Sequence, residues 1–361
     1  MKNNFTLLLL LLVSISFAQA PAGYYNAATG TGYFLKTQLH NIIKNNYNDR
    51  GYAGLYVTYV TSDRDYYYEN NGTLLDMYTE NPTGEECEFT YGTNQDDGSG
   101  GSAECEKYNR EHLVPQSVFG SGNLPMYADA HFVVPSDKYV NAERGNLPFS
   151  KVNIVTNTYS NGSKKGNNLN TGYSGGYLGT VFEPIDEFKG DIARMLLYFA
   201  TRYEDQVAGW NFAMFNNTSN QVFTSQAINV LLTWNNNDPV SPREIARNNA
   251  IYARQNNRNP FIDRPEFVMQ IWGSLLNTEE FLSESSIAVI PNPSTDGKFT
   301  ITTTASIDAI TVTNINGQII QQINKPVIYN NQFEIFNSTK GFYFITIQSN
   351  SQQITKKVIV N

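Results

Sequence analysis

Two hydrophobic rhythms divide this chain. Up to about residue 275, apolar side chains recur at helical spacing. In LKTQLHNIIKN, Leu35, Leu39, Ile42 and Ile43 fall on one helical face. The stretches GDIARMLLYFATRY, SQAINVLLTW, PREIARNNAIYARQ and RPEFVMQIWG read the same way. Pro242 and Pro265 sit near helix starts, where a missing N–H is harmless. DAHFVVP, residues 129–135, predicts a buried strand, and Ser136 is placed to cap a short helix over SDKYVNAERGN. Residues 151–180, rich in Asn, Gly, Ser and Lys, predict a long loop.

Past about residue 285 the period shortens to that of strands. FTITTT, AITVTNINGQII, QFEIF, GFYFITIQ and KKVIV alternate apolar and polar positions between Asp-Gly, Asn-Gly and Lys-Gly turns. That pattern predicts a small antiparallel β-sandwich over 287–361. The expected fold class is therefore α+β: a helix-rich region over 21–283, then a separate β module.

The first 20 residues, MKNNFTLLLLLLVSISFAQA, combine a basic head, a short apolar core and an Ala-Gln-Ala site. This predicts a secretory signal peptide and a mature protein outside the cytoplasm, without stable membrane insertion. Cys87 and Cys105 are the two cysteines of the chain. In an oxidising compartment they read by default as a disulfide, with two buried free thiols as the alternative. The net charge of −8 offers no global field for a polyanion. An anionic substrate must then be held by local cations or a metal.

The candidate chemistry lies in NREHLVPQSVFG, residues 109–120. Glu111 and His112 come first, the expected strand follows, and Asn141 and Arg144 lie on the expected helix. A neutral imidazole can take a proton from water near neutral pH. A carboxylate and an amide oxygen suit a hard cation such as Mg²⁺. Together they fit metal-assisted cleavage of a phosphodiester, with Arg110 or Arg144 to hold a phosphate oxygen. In a regular strand Glu111 and His112 would face opposite ways, so this reading needs a strand end or a bulge. His40 and His131 read as structural. A metallopeptidase is disfavoured, because H-E-x-x-H does not occur and the histidines are dispersed.

The segment 109–149, NREHLVPQSVFG through DAHFVVPSDKYVNAERGNLPF, resembles the endonuclease I family of secreted nucleases, which use a His-Me finger (ββα-metal) site. FEPIDEFKGDIARMLLYFATRY and REIARNNAIYARQNNRNPFIDRPEFVMQIWG resemble it in the same order, and residues 47–79 more loosely. The resemblance implies His112 as general base and Glu111 and Asn141 as metal ligands. It puts Arg144 at the phosphate or in its local support, and Lys189, Arg194 and Arg258 as candidate substrate contacts. It also implies Mg²⁺, or Ca²⁺ or Mn²⁺ in its place, a monomer, and DNA with RNA as substrates. One departure stands out: no Arg or Lys occurs from 113 to 137, where some members carry the arginine for the leaving phosphate.

The tail resembles the C-terminal sorting domains of type IX export. The matching residues are Pro291-Asn292-Pro293-Ser294, Gly297-Lys298-Phe299, Asn316-Gly317, Lys340-Gly341-Phe342-Tyr343 and Lys356-Lys357-Val358-Ile359-Val360. This implies a secreted or cell-surface protein that meets the outer-membrane secretion machinery. The competing expectation is a non-catalytic adhesion protein on a degenerate nuclease fold.

Overall fold

The computed structural model describes residues 20–278, 287–303, 307–329, 331–336, 339–349 and 352–361. The expected leader, apart from Ala20, lies outside the described residues, as does the junction at 279–286. The chain divides into two compact units, one ending at Leu276 and one starting at Asn277.

The first unit is helix-rich. Its helices are α1 (Gly32–Lys44), α2 (Gly51–Ser62), α3 (Gln116–Phe119), α4 (Lys138–Arg144), α5 (Lys189–Arg202), α6 (Ser225–Asn237), α7 (Pro242–Gln255), α8 (Pro260–Asp263) and α9 (Glu266–Trp272). Between them run β1 (Tyr108–His112), β2 (Val133–Asp137), β3 (Val152–Thr158), β4 (Lys164–Asn168) and β5 (Thr180–Glu183). Every residue of α5 is buried, so this helix forms the axis on which the others pack. α1 lays Leu35, Leu39 and Ile43 into the core, as its spacing predicts. α7 opens with a capping box, in which Ser241 and Glu244 each bond the other's backbone N–H, and Pro242 follows at its first turn. α2 was not legible from propensity, because Val57, Thr58, Val60 and Thr61 favour strands. Its buried residues Leu55, Thr58, Tyr59 and Ser62 nevertheless keep helical spacing.

Three local expectations need correction. DAHFVVP is not one strand: residues 129–132 turn around Asp129, and the strand runs from Val133 to Asp137. The cap of α4 is Asp137 rather than Ser136, because the carboxylate accepts from both the Tyr139 and Val140 N–H groups. Residues 151–180 are not a long loop. β3 and β4 pair antiparallel there with two register shifts, and β5 completes the sheet. Most of β3 is exposed on both faces, so no alternation of apolar residues announces it.

Asp129 ties that turn to the helical core. Its carboxylate accepts from Tyr198 of α5 and from Tyr203 just beyond that helix at 2.8 Å each, and from Gln255 of α7 at 3.0 Å. His131 lies in the same cluster, its Nε2 3.0 Å from the Asn257 carbonyl. A carbonyl only accepts, so Nε2 carries the proton. His40 meets the carbonyls of Thr201 and Arg202. Both histidines are structural.

The second unit is a sandwich of two antiparallel sheets. One has the strand order β10 (Gln332–Phe336), β7 (Lys298–Thr303), β6 (Ile287–Ile290). The other runs β12 (Gln352–Val360), β11 (Gly341–Ser349), β8 (Ala309–Asn314), β9 (Ile319–Asn324). Phe299 and Ile301 from one sheet meet Ile310, Val312, Ile345 and Ile347 from the other in a core of their own.

Cys87 and Cys105 form the expected disulfide, with Cα atoms 4.8 Å apart. The Cys105 N–H donates to Asp137 Oδ2 at 2.7 Å, so the bridge supports the cap of α4. Replacing both cysteines with serine is expected to lower unfolding stability by about 3 kcal/mol, read from urea titrations. His131 gives a second expectation. Burial lowers its pKa from 6.5 to about 4, against the charge of Asp129. The unfolded chain therefore takes up a proton at this residue as pH falls through 6.5, while the folded chain does not until about 4. Stability is lost across that window, by about 3 kcal/mol. In His131→Gln this part of the acid destabilisation should vanish from pH-dependent denaturation curves.

Candidate active site

β1 and β2 form a two-stranded antiparallel ribbon in which Glu111 pairs with Val134 and His112 with Val133. α4 follows β2 without a loop. This is the ββα order the sequence predicts. Glu111, His112 and Asn141 line one cavity of about 340 Å³, with Tyr52, Arg110 and Asn146 also on its wall. The facing problem is solved by position, because His112 is the last residue of β1, where the strand alternation ends.

His112 is almost wholly buried, packed near the rings of Tyr52, Phe119, Tyr127 and Phe132. Its Nε2 lies 3.2 Å from the Tyr127 carbonyl. Nε2 is therefore the protonated nitrogen, and Nδ1 is left as the acceptor. Burial pushes its pKa from 6.5 down to about 4, and the charges of Arg110 and Arg144 add to the shift. The ring is neutral at physiological pH.

Glu111 is held by two donors. Tyr78 Oη donates to Oε1 at 2.8 Å and Arg144 Nη1 to the same oxygen at 2.9 Å. Oε2 takes neither bond. Burial pushes this carboxyl up, and Arg144 and Tyr78 oppose the shift. Tyr78 is fixed in turn by Asp76, whose Oδ1 accepts the Tyr78 N–H and whose Oδ2 accepts the Asp137 N–H. Asn141 donates through Nδ2 to Asn109 Oδ1 at 2.7 Å, which leaves its own Oδ1 free of that bond. A carboxylate oxygen and an amide oxygen on one cavity wall fit a hard divalent cation.

Arg144 sits where local support, one of its two expected roles, would put it. It is fully buried, and its guanidinium donates to Glu111, to the carbonyls of His112 and Leu113, and through Nε to that of Leu147. It ties α4 to the end of β1. Lys189, Arg194 and Arg258 lie away from this cavity, and each is paired with carboxylates. Lys189 binds Glu183 and Asp186. Arg194 forms a two-pronged pair with Glu244 at 2.6 and 2.7 Å. Arg258 does the same with Asp263 at 2.7 Å for both bonds. Arg110 differs, because it lies on the cavity wall over the Tyr52 and Tyr56 rings, at 3.5 and 4.2 Å. Its only hydrogen bond among the described residues goes to the Tyr52 carbonyl. Tyr78 and Asn109, the residues that orient the two oxygen donors, escaped the sequence reading. Asn109 could have been found two residues before Glu111 on the strand; Tyr78 is 33 positions away and carried no signal.

Where the ribbon meets α4, a neutral histidine, a carboxylate and an amide gather beside an arginine on one cavity wall. The family model for Endonuclease I matches residues 31–266, and the chain belongs to that family. It is a phosphodiester hydrolase. Two extracellular ribonucleases are similar to it. One, from Bacillus subtilis (strain 168), is 35% identical over 270 residues, covering 72% of this chain and 83% of that protein. The other, from Bacillus amyloliquefaciens, is 35% identical over 254 residues, covering 69% and 78%. Residues 288–361 match the secretion system C-terminal sorting domain, so the protein is secreted or displayed at the cell surface. A structure of PorZ, a surface component of the type-IX secretion system of Porphyromonas gingivalis, is 16% identical over 22% of this chain and 12% of its own. Its TM-score of 0.18 carries no argument. No helix of the described residues is long and apolar enough to cross a membrane.

Arg144→Met would leave the buried Glu111 carboxylate without its charge partner. The expected cost is about 3–5 kcal/mol in chemical denaturation. A loss below about 1 kcal/mol would show that Glu111 does not depend on this ion pair.

Proposed function

We propose that this protein is an endonuclease that needs a divalent metal and hydrolyses internal phosphodiester bonds of DNA and RNA without reading sequence. The observation that carries this reading is the convergence of His112, Glu111 and Asn141 on one cavity. The RNA part is supported by the two similar extracellular ribonucleases. A site that grips phosphate and metal makes few demands on base identity.

In this reading Nδ1 of His112 takes a proton from a water molecule. The hydrogen bond from Nε2–H to the Tyr127 carbonyl keeps the ring in the right tautomer for it. The water oxygen attacks phosphorus and the 3′ oxygen leaves. Glu111 and Asn141 would hold Mg²⁺, with Ca²⁺ or Mn²⁺ as substitutes, and the bound ion would supply charge stabilisation at the phosphate and the leaving oxygen. Arg144 and Tyr78 keep Glu111 in place, and Asn109 keeps Asn141 in place. Arg110 holds a phosphate oxygen, filling the role for which residues 113–137 offer no cation.

Plasmid nicking and RNA cleavage by the protein, with Mg²⁺ and with EDTA, test this directly. His112→Ala is expected to lower kcat by about 10²- to 10⁴-fold with the fold intact by circular dichroism. Asn141→Ala should lower activity and raise the Mg²⁺ concentration needed for half-maximal rate. Arg110→Ala should lower kcat/KM, with partial recovery in Arg110→Lys. Cleavage that persists in EDTA or in His112→Ala would overturn the assignment, and an inert wild-type protein would favour the adhesion reading.

A further inference from the structure

The loop between α2 and the disulfide brings together carboxylates that the nuclease site does not use. Asp65, Glu69 and Glu80 each present an oxygen within 4.8 Å of the others. Asp65 and Glu80 are buried. Oδ2 of Asp65 and both oxygens of Glu80 are shielded from water and meet no N–H or hydroxyl donor among the described residues; burial and a proton shared with the Glu86 carboxyl push Glu80 up to about 10. The charges that bear most on Glu80 are other carboxylates: Glu86, Glu69 and Asp65. Buried anions gathered without a cation are costly, and native structures rarely leave such groups without a partner.

The backbone around them is fixed. Asp65 Oδ1 accepts the N–H groups of Tyr67 and Tyr68, which leaves Oδ2 aimed at the cluster. The Glu80 carbonyl accepts from Asn161 Nδ2 at 3.1 Å, and its N–H donates to the Asp76 carbonyl. The missing component is a positive charge that accepts several oxygens at once.

We propose that Asp65, Glu69 and Glu80 bind a structural calcium ion, distinct from the metal of the nuclease cavity. Oxygens on opposite sides of a calcium ion lie about 5 Å apart, so three within 4.8 Å can share one. The donors are all carboxylates, with no His or Cys to favour zinc. Calcium sheds its water more readily than magnesium and accepts irregular carboxylate geometry. The ion would lock Asp65 to Glu80 across the turn that carries Asp76 and Tyr78, and so steady the donor that holds Glu111. This inference does not rest on the proposed nuclease mechanism.

The test is thermal unfolding of the full chain, stripped with EGTA and then titrated with Ca²⁺ or Mg²⁺. The wild type should gain about 5 °C in Tm at saturating Ca²⁺, with an apparent Kd of about 10⁻⁴–10⁻³ M and a smaller response to Mg²⁺. The gain should disappear in Glu80→Gln and weaken at least tenfold in apparent Kd in Glu69→Gln, whose position is exposed. It should persist in Asn141→Ala, which touches the nuclease cavity alone. No Ca²⁺ response in the wild type would overturn the proposal. So would a response that survives Glu80→Gln and Glu69→Gln but is lost in Asn141→Ala.

Discussion

One guanidinium joins the parts of the nuclease site. Arg144 lies in the last turn of α4, yet it bonds the Glu111 carboxylate and two carbonyls at the end of β1. A buried arginine has no water to satisfy its donors, so the strand end must supply acceptors in a fixed fork. That requirement sets the distance between the helix and the ribbon. His112 and Asn141 share a wall because this pair of elements cannot slide without stranding a charge. The Phe149 ring under the guanidinium, 4.5 Å away, seals the contact on its other side.

Around that joint the polar groups are arranged in relays. Asp76 fixes Tyr78, and Tyr78 fixes Glu111. Asn109 fixes Asn141. The Tyr127 carbonyl fixes the tautomer of His112. Each group that faces the cavity therefore has one hydrogen-bond position spent on the protein and another left over. Preorganisation of this kind removes the cost of arranging donors and acceptors when a phosphate arrives.

Much of this was legible from residue order. The helical spacing of α1, α5, α6 and α7 and the two-residue alternation of the sandwich came straight from the apolar pattern. Glu111, His112 and Asn141 were found because a short ribbon followed by a helix places them close in sequence as well as in space. The arginines were harder to place for a reason that is physical. A guanidinium serves a phosphate and a carboxylate with the same fork, and sequence does not say which it will meet. Arg194 and Arg258 met Glu244 and Asp263, partners 50 and 5 positions away. The β3–β4 hairpin was invisible because neither face of β3 is consistently buried, and Tyr78 was invisible because its contact with Glu111 is tertiary.

The disulfide has a consequence beyond stability. Asp137 caps the helix that carries Asn141, and one of its bonds comes from the N–H of Cys105, half of the bridge. Sulfur–sulfur bonds close in oxidising surroundings and stay open in a reducing cytosol. In oxidising surroundings the bridge therefore helps to hold the Cys105 N–H against the cap of the helix that carries Asn141. One covalent tie thus spans the segments that support Glu111 and Asn141: Cys87 follows Tyr78 by nine residues, and Cys105 bonds the cap of α4.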